Sequence, residues 1–334
     1  MRPRISLKLI LIMIFSIIAL GFIGGYIYFK KNLSAEEFFQ SSQFREGISQ
    51  YLEEFSTPDK NGFKLTKESS RVSIKATFYA LTIYQRFLRK DLSRLTNLNP
   101  DAMFDKIRSY YVSPGYYLEK DEEPIFSTVK AFSIDFQFPQ DLNQEIDLDW
   151  LKENSLENEN LENNKLDPEY QLAVINIYRL LSLPEKVKEL SVPYLEYYCY
   201  QYKPDETTEQ SFLRTKFYQV AFMCNLSGAV SSRSQGNCLG KKDTEATKER
   251  LSKIQFSQLT NIKEIFFLYH LKDFYNILED SDLEKSLKAI KEFYFENGFR
   301  ENLNDQSPNL TGTYYAIKFL FQFHPFYNNQ NMVR

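Results

Sequence analysis

Asp147 and Asp149 flank Leu148 directly before Trp150, the one tryptophan of the chain. Two carboxylates held about 5 to 9 Å apart can cleave a glycosidic bond, one giving a proton and the other attacking or activating water. An indole beside them can stack on a sugar face. Asp147 and Asp149 are therefore the catalytic candidates. The surrounding "DLNQEIDLDWLKENSLENENLE" reads equally as a solvated acidic helix start, where the positive end of the helix dipole favours carboxylates. Thiol chemistry has less to work with. Cys199, Cys224 and Cys238 are the only cysteines, and His270 and His324 the only histidines, with no local ligand spacing, so neither a metal nor a cofactor is expected. Cys224 and Cys238 would close a 15-residue loop as a disulfide in an oxidising compartment; reduced, they are small apolar side chains. A third set is cationic and aromatic. Lys75, Lys130 and Lys318, turned inward with Tyr79, Tyr84, Tyr314 and Tyr315, would hold a carboxylate or another anionic head group; turned outward, they are ordinary solvated lysines.

A repeated stretch must position these residues. "NGFKLTKESSRVSIKATFYALTIY" begins at Asn61, and "NGFRENLNDQSPNLTGTYYAIKFL" begins at Asn297. Gly62 to Thr77 and Gly298 to Thr313 both span 15 positions, and Ala80 and Ala316 follow in register. A third copy, "SPGYYLEKDEEPIFSTVKAFSI", carries Gly115, Thr128 and Ala131 with a gap two residues shorter. Each copy shares one grammar: an apolar-periodic helix, Asn-Gly or Pro-Gly as its left-handed stop, a polar loop of about ten residues, then a second helix. Weaker copies without the glycine fall at "DPEYQLAVINIYRLLSL", "TEQSFLRTKFYQVAFM" and "QLTNIKEIFFLYHLKDFYNIL". The reading is all-α, with about six helical hairpins of roughly 40 to 50 residues. An open stack needs polar end caps, whereas "YYAIKFLFQFHPF" is apolar almost all round, so the sixth hairpin is expected to close against the first.

Gly-Phe, a polar loop and Thr-Tyr-Tyr-Ala-Ile resemble the repeat of the terpenoid cyclase and protein prenyltransferase α/α toroids. That resemblance covers about residues 40 to 325. It implies an inner ring of helices around a central cavity, with functional groups near the loops that begin them. The chemistry of those enzymes does not follow the repeat into this chain. No cysteine has an aspartate two positions before it, as zinc-binding prenyltransferases require. Asp147-Leu148-Asp149 runs into Trp150 and Asp280-Ser281-Asp282 into Leu283, where cyclases carry a further aspartate.

The N-terminus is of another kind. Leu9 to Phe29 carries no charge, and at 1.5 Å per residue its length of roughly 31 Å crosses a bilayer core. Residues 1–8 read as a cytoplasmic tail, 9–29 as a single transmembrane anchor rather than a cleaved signal, 30–40 as a linker, and 41–334 as an extracytoplasmic toroid at the cell membrane. A net charge of −3 with both signs interspersed excludes a nucleic-acid footprint. The expected function is non-catalytic binding of a peptide, lipid or glycan in the cavity. The alternative is an enzyme acting on isoprenoid lipid or polysaccharide.

Overall fold

The computed structural model describes residues 33–69, 71–90 and 241–328, most of 152–226, and short pieces between 99 and 117. The tail, the 9–29 span, Lys130, Asp147, Asp149 and Cys238 lie outside the described residues, as does the side chain of Cys224. Among the described residues no helix is long and apolar enough to cross a membrane.

The protein is mostly helical. In chain order the helices are α1 (Ala35–Gln40), α2 (Ser42–Phe55), α3 (Ile74–Thr82, continued as a π-turn over Ile83–Phe87) and α4 (Pro168–Leu180). Next come α5 (Pro184–Glu196, continued as a π-turn over Tyr197–Gln201) and α6 (Glu209–Leu226). They are followed by α7 (Lys241–Lys253), α8 (Ile262–Phe274), α9 (Asp282–Glu292), α10 (Leu310–Phe323) and the single turn α11 (Pro325–Asn328). Two antiparallel strand pairs are present, Tyr111–Ser113 with Tyr116–Tyr117 and Tyr294–Phe295 with Gly298–Phe299. Residues 35–40, expected to be linker, belong to the folded body. Ser34 and Glu37 form a reciprocal cap that starts α1, which buries Phe38 and Phe39.

Helix composition separates two kinds of position. α9 buries Asp282, Ser286, Leu287, Ala289 and Ile290, one stripe at helical spacing, and leaves its other face to solvent. α8 buries nine of its 13 residues and α10 eight of its 14, on several faces, so both are sheathed by neighbours. The sheathed helices are the second members of the hairpins, and they lie side by side in the order α3, α10, α8, α6, α4. α9 packs on α8 and on α1, and the buried Lys272–Asp282 pair, 3.2 Å apart, ties α8 to α9.

The repeated sentence is a hydrogen-bond circuit. In the first copy the Phe63 N–H donates to the Thr77 hydroxyl (2.9 Å), which donates to the Ser73 carbonyl (2.7 Å), and the Ser73 N–H returns to the Phe63 carbonyl (2.8 Å). In the second copy Phe299 donates to Thr313 (3.0 Å), Thr313 to Asn309 (2.9 Å), and Asn309 back to Phe299 (3.1 Å). Ser73 and Asn309 also cap α3 and α10 by accepting from Ala76 and Gly312. Threonine is needed because one buried hydroxyl both accepts and donates. The fixed distance from Gly-Phe to Thr is the span of that loop.

The first helices do not stop at Asn-Gly as the sequence reading holds. α2 ends at Phe55, six residues before Asn61. In the last hairpin α9 ends at Glu292 and the chain makes a two-residue strand turn, with Glu296 (φ 45°) and Asn297 (φ 68°) in the left-handed region that suits the twist of paired strands. Gly298 is there for space. A Cβ on it would lie 2.4 Å from the buried ring of Tyr51.

Candidate functional site

Four of the sheathed helices keep an accessible stripe, which on α6 lies beside the half-exposed Lys216 and Gln219. On α3 and its π-turn it runs Lys75, Phe78, Thr82, Arg86; on α10, Tyr314, Lys318, Gln322; on α8, Lys263, His270, Phe274; on α6, Arg214, Phe217, Ala221. Residues spaced by three or four share a helix face, so those of α3, α10 and α6 form continuous strips, whereas on α8 the buried Phe266 and Phe267 separate Lys263 from His270. Their content is mostly cationic and aromatic, with the exposed Asp273 beside His270 and Phe274.

Lys318 is at the middle. Its ammonium lies 4.9 Å from the Phe266 ring centre and 5.8 Å from those of Tyr314 and Tyr315. Among the described residues no carboxylate is within ion-pair distance of it. Partial burial, with the Arg86 charge adding to it, lowers its pKa to about 8. The rings form one connected wall. Tyr79 stacks on Tyr314 at 4.0 Å and 14°, Phe217 stacks on Phe267 at 4.2 Å, and His270 lies parallel to Phe266 at 6.3 Å. The Nδ1 atom of His270 is buried without a hydrogen-bond partner. Burial holds the His270 pKa below its usual range, and Lys318 pushes the same way against Asp273. Lys263 lies over Tyr315 at 5.5 Å while paired with Glu301 at 2.6 Å.

Of the residues singled out in the sequence, Tyr79, Tyr314, Tyr315 and Lys318 come together here. Lys75 sits on the accessible strip of α3, one turn before Tyr79. Tyr84 does not join them. It is fully buried, packs against Phe63 and lies under Lys90, whose ammonium donates to Ser49 of α2, so it faces the outer layer. It lies five residues after Tyr79 and so projects from another side of the helix. His270, Phe266 and Arg86 are members that the sequence reading assigned elsewhere or passed over. "FFLYHLKDFY" is apolar enough to read as plain core, and only the four-residue step from Phe266 to His270 marked a shared face.

Glu264, in the first turn of α8, is a second unforeseen group. It is 8% exposed, and burial, with the Glu209 charge at the start of α6 adding to it, raises its pKa to about 7. Among the described residues no group of three or more His, Cys, Asp or Glu side chains could hold a metal ion. No family model matches the chain, and no curated protein or solved structure matches it either.

Proposed function

We propose that the chain is a membrane-anchored, extracytoplasmic α/α toroid, similar in its repeat to the cyclase and prenyltransferase toroids, that binds a ligand without transforming it. The ligand is a peptide, lipid or glycan carrying a negative group beside an aromatic or aliphatic part. The accessible face of the second helices carries the reading: Lys318 stands over three rings with no acidic partner among the described residues, and a carboxylate or phosphate ester supplies the missing counter-charge.

Closure is supported by two equivalent backbone bonds. The N–H of Ile262, the first residue of α8, donates to the carbonyl of Glu301 in the loop of the last hairpin (2.9 Å). The N–H of Leu310, the first residue of α10, donates to the carbonyl of Leu65 in the loop of the first (3.3 Å). Glu301 and Leu65 occupy the same repeat position, three residues after Gly298 and Gly62. Hairpin six thus meets hairpin one as hairpin five meets hairpin six, one of the contacts that a ring would need.

The test is a binding screen of the full chain in detergent against short aromatic carboxylates, acidic peptides, anionic lipids and uronic-acid oligosaccharides, read by calorimetry. One class is expected to bind with at least tenfold loss in Lys318→Met, the usual cost of one charge-assisted contact of about 1.5 kcal/mol. Equal affinity in the variant would refute the reading.

The alternative is an enzyme acting on polysaccharide or isoprenoid, and Glu264 is the observation that favours it, as an acid that keeps its proton up to about pH 7. Turnover of a polysaccharide or isoprenoid substrate that Glu264→Gln abolishes would establish it.

A further inference from the structure

We propose that the turn α11 is a pH-sensitive latch, docked on the first hairpin while His324 is neutral and released when acidification adds a proton to its ring. The latch goes beyond the binding face and does not depend on what that face holds.

His324 is the joint between α10 and α11. Its N–H still donates to the Leu320 carbonyl of α10 (3.0 Å), while its own backbone is extended (φ −81°, ψ 121°) ahead of Pro325. The turn that follows reaches back to the start of the fold. The Tyr327 hydroxyl donates to the carbonyl of Phe39, in the last turn of α1, where carbonyls have no donor from their own helix. The Tyr327 ring lies 5.1 Å from that of Phe87, in the π-turn after α3. Tyr327 is 3% exposed, so α11 braces the end of the last hairpin against two elements of the first region.

The state of the His324 ring decides whether this turn can hold. The residue is 1% exposed. Its Nδ1 accepts from the Phe326 N–H at 3.2 Å, so the neutral ring carries its hydrogen on Nε2. Nε2 is buried with no hydrogen-bond partner among the described residues. A further proton has one place to go, Nδ1, where it would point at the Phe326 N–H, donor against donor. The imidazolium would then lack an acceptor at either nitrogen and carry its charge out of reach of water, and both costs vanish once α11 leaves.

The charges on the packed elements do not offset this. α1 presents Glu36, whose carboxylate favours the imidazolium. α2 presents Arg45, which donates to the Phe87 carbonyl (3.1 Å) and bears on Tyr327. In the π-turn Arg86 bears on Lys318, and Lys318, the one charge on α10, stands over Phe266. α11 itself brings only the rings of Phe326 and Tyr327, 6.5 and 5.6 Å from the imidazole. Burial outweighs Glu36 and holds the docked ring below its ordinary pKa of 6.5. The undocked state therefore binds more protons below that value, so docking keeps its full strength above pH 6.5 and weakens as the pH falls, by up to about tenfold per unit.

The test is hydrogen exchange of the full chain in detergent, read by mass spectrometry on peptides spanning residues 324–328 and corrected for the intrinsic pH dependence of exchange. Two amides there report the latch, since Phe326 donates to His324 Nδ1 and Tyr327 to the His324 carbonyl. From pH 7.5 to 5.5 their opening equilibrium should rise about tenfold, with α7 peptides unchanged. The response should persist in His270→Gln and Glu36→Gln and disappear in His324→Asn, whose amide oxygen still accepts from Phe326 but takes no proton. Tyr327→Phe, which gives up the bond to Phe39, should raise opening at both pH values and keep the ratio between them. No response in the unsubstituted chain, a response that survives in His324→Asn, or one abolished by His270→Gln or Glu36→Gln overturns the proposal. If His324→Asn leaves α11 open at both pH values, a response kept in His270→Gln and Tyr327→Phe assigns it to the other histidine, His324.

Discussion

Thr77 and Thr313 are the residues on which the repeat depends. Each hydroxyl accepts from a buried phenylalanine N–H and donates to a cap carbonyl. Valine has the same shape and satisfies neither, so Thr77→Val and Thr313→Val should each lower unfolding free energy by about 1–3 kcal/mol, read as a shift in urea midpoint. Thr82, half-buried and donating only to the Phe78 carbonyl, is the control and should cost less than about 0.5 kcal/mol as valine. Glu264 supplies a pH signature. Its folded pKa, about 7, lies above the ordinary 4.5, so between these values the native state binds more protons than the unfolded one. Its contribution therefore falls as pH rises from 4.5 to 7, by an amount on the order of 1–3 kcal/mol. Glu264→Gln should flatten that part of the stability profile; an unchanged slope would show that the carboxyl ionises freely.

At the scale of elements, two glycines are set by what passes close to them. A Cβ at Gly298 meets the Tyr51 ring at 2.4 Å, and one at Gly312 meets the Arg300 carbonyl carbon at 2.5 Å. A ring can turn if space exists, whereas a backbone held by the Phe299–Thr313 circuit cannot. Gly298→Ala should destabilise by about 1–3 kcal/mol and be partly relieved by Tyr51→Leu, with the double variant costing less than the sum of the singles. Gly312→Ala should cost at least as much, with no relief from Tyr51→Leu. Additivity at Gly298 and Tyr51 would mean that the two do not touch.

Across the whole molecule, α3 and α10 are adjacent although some 230 residues separate them. Long-range pairing of this kind orders the whole intervening chain and forms slowly. Cysteines at positions 79 and 314, in a background with the three native cysteines replaced by alanine, should be bridged by a short bismaleimide in the native state and not in urea, as read by gel mobility. Absence of native cross-linking would separate the first hairpin from the last and remove the binding face with it.

The helices and the repeat were legible in the sequence, because periodicity and the Gly-to-Thr spacing are local and the circuit they encode closes within one hairpin. Tyr79, Tyr84, Tyr314, Tyr315 and Lys318 were grouped in the sequence only because they lie near the Thr and Ala positions of the second helices, and no shared repeat position joins the lysine to the rings. What the sequence could not decide was direction. Tyr84 and Tyr79 are the same residue type on one helix, and only the position of α2 puts one outward and leaves the other against Tyr314. Nor could it find Glu264 or His270, whose altered proton affinities come from burial by segments distant in the chain. Local hydrogen bonds are written residue by residue, while desolvation belongs to the packed assembly, so residue order alone determined the units and tertiary packing determined which side chains meet.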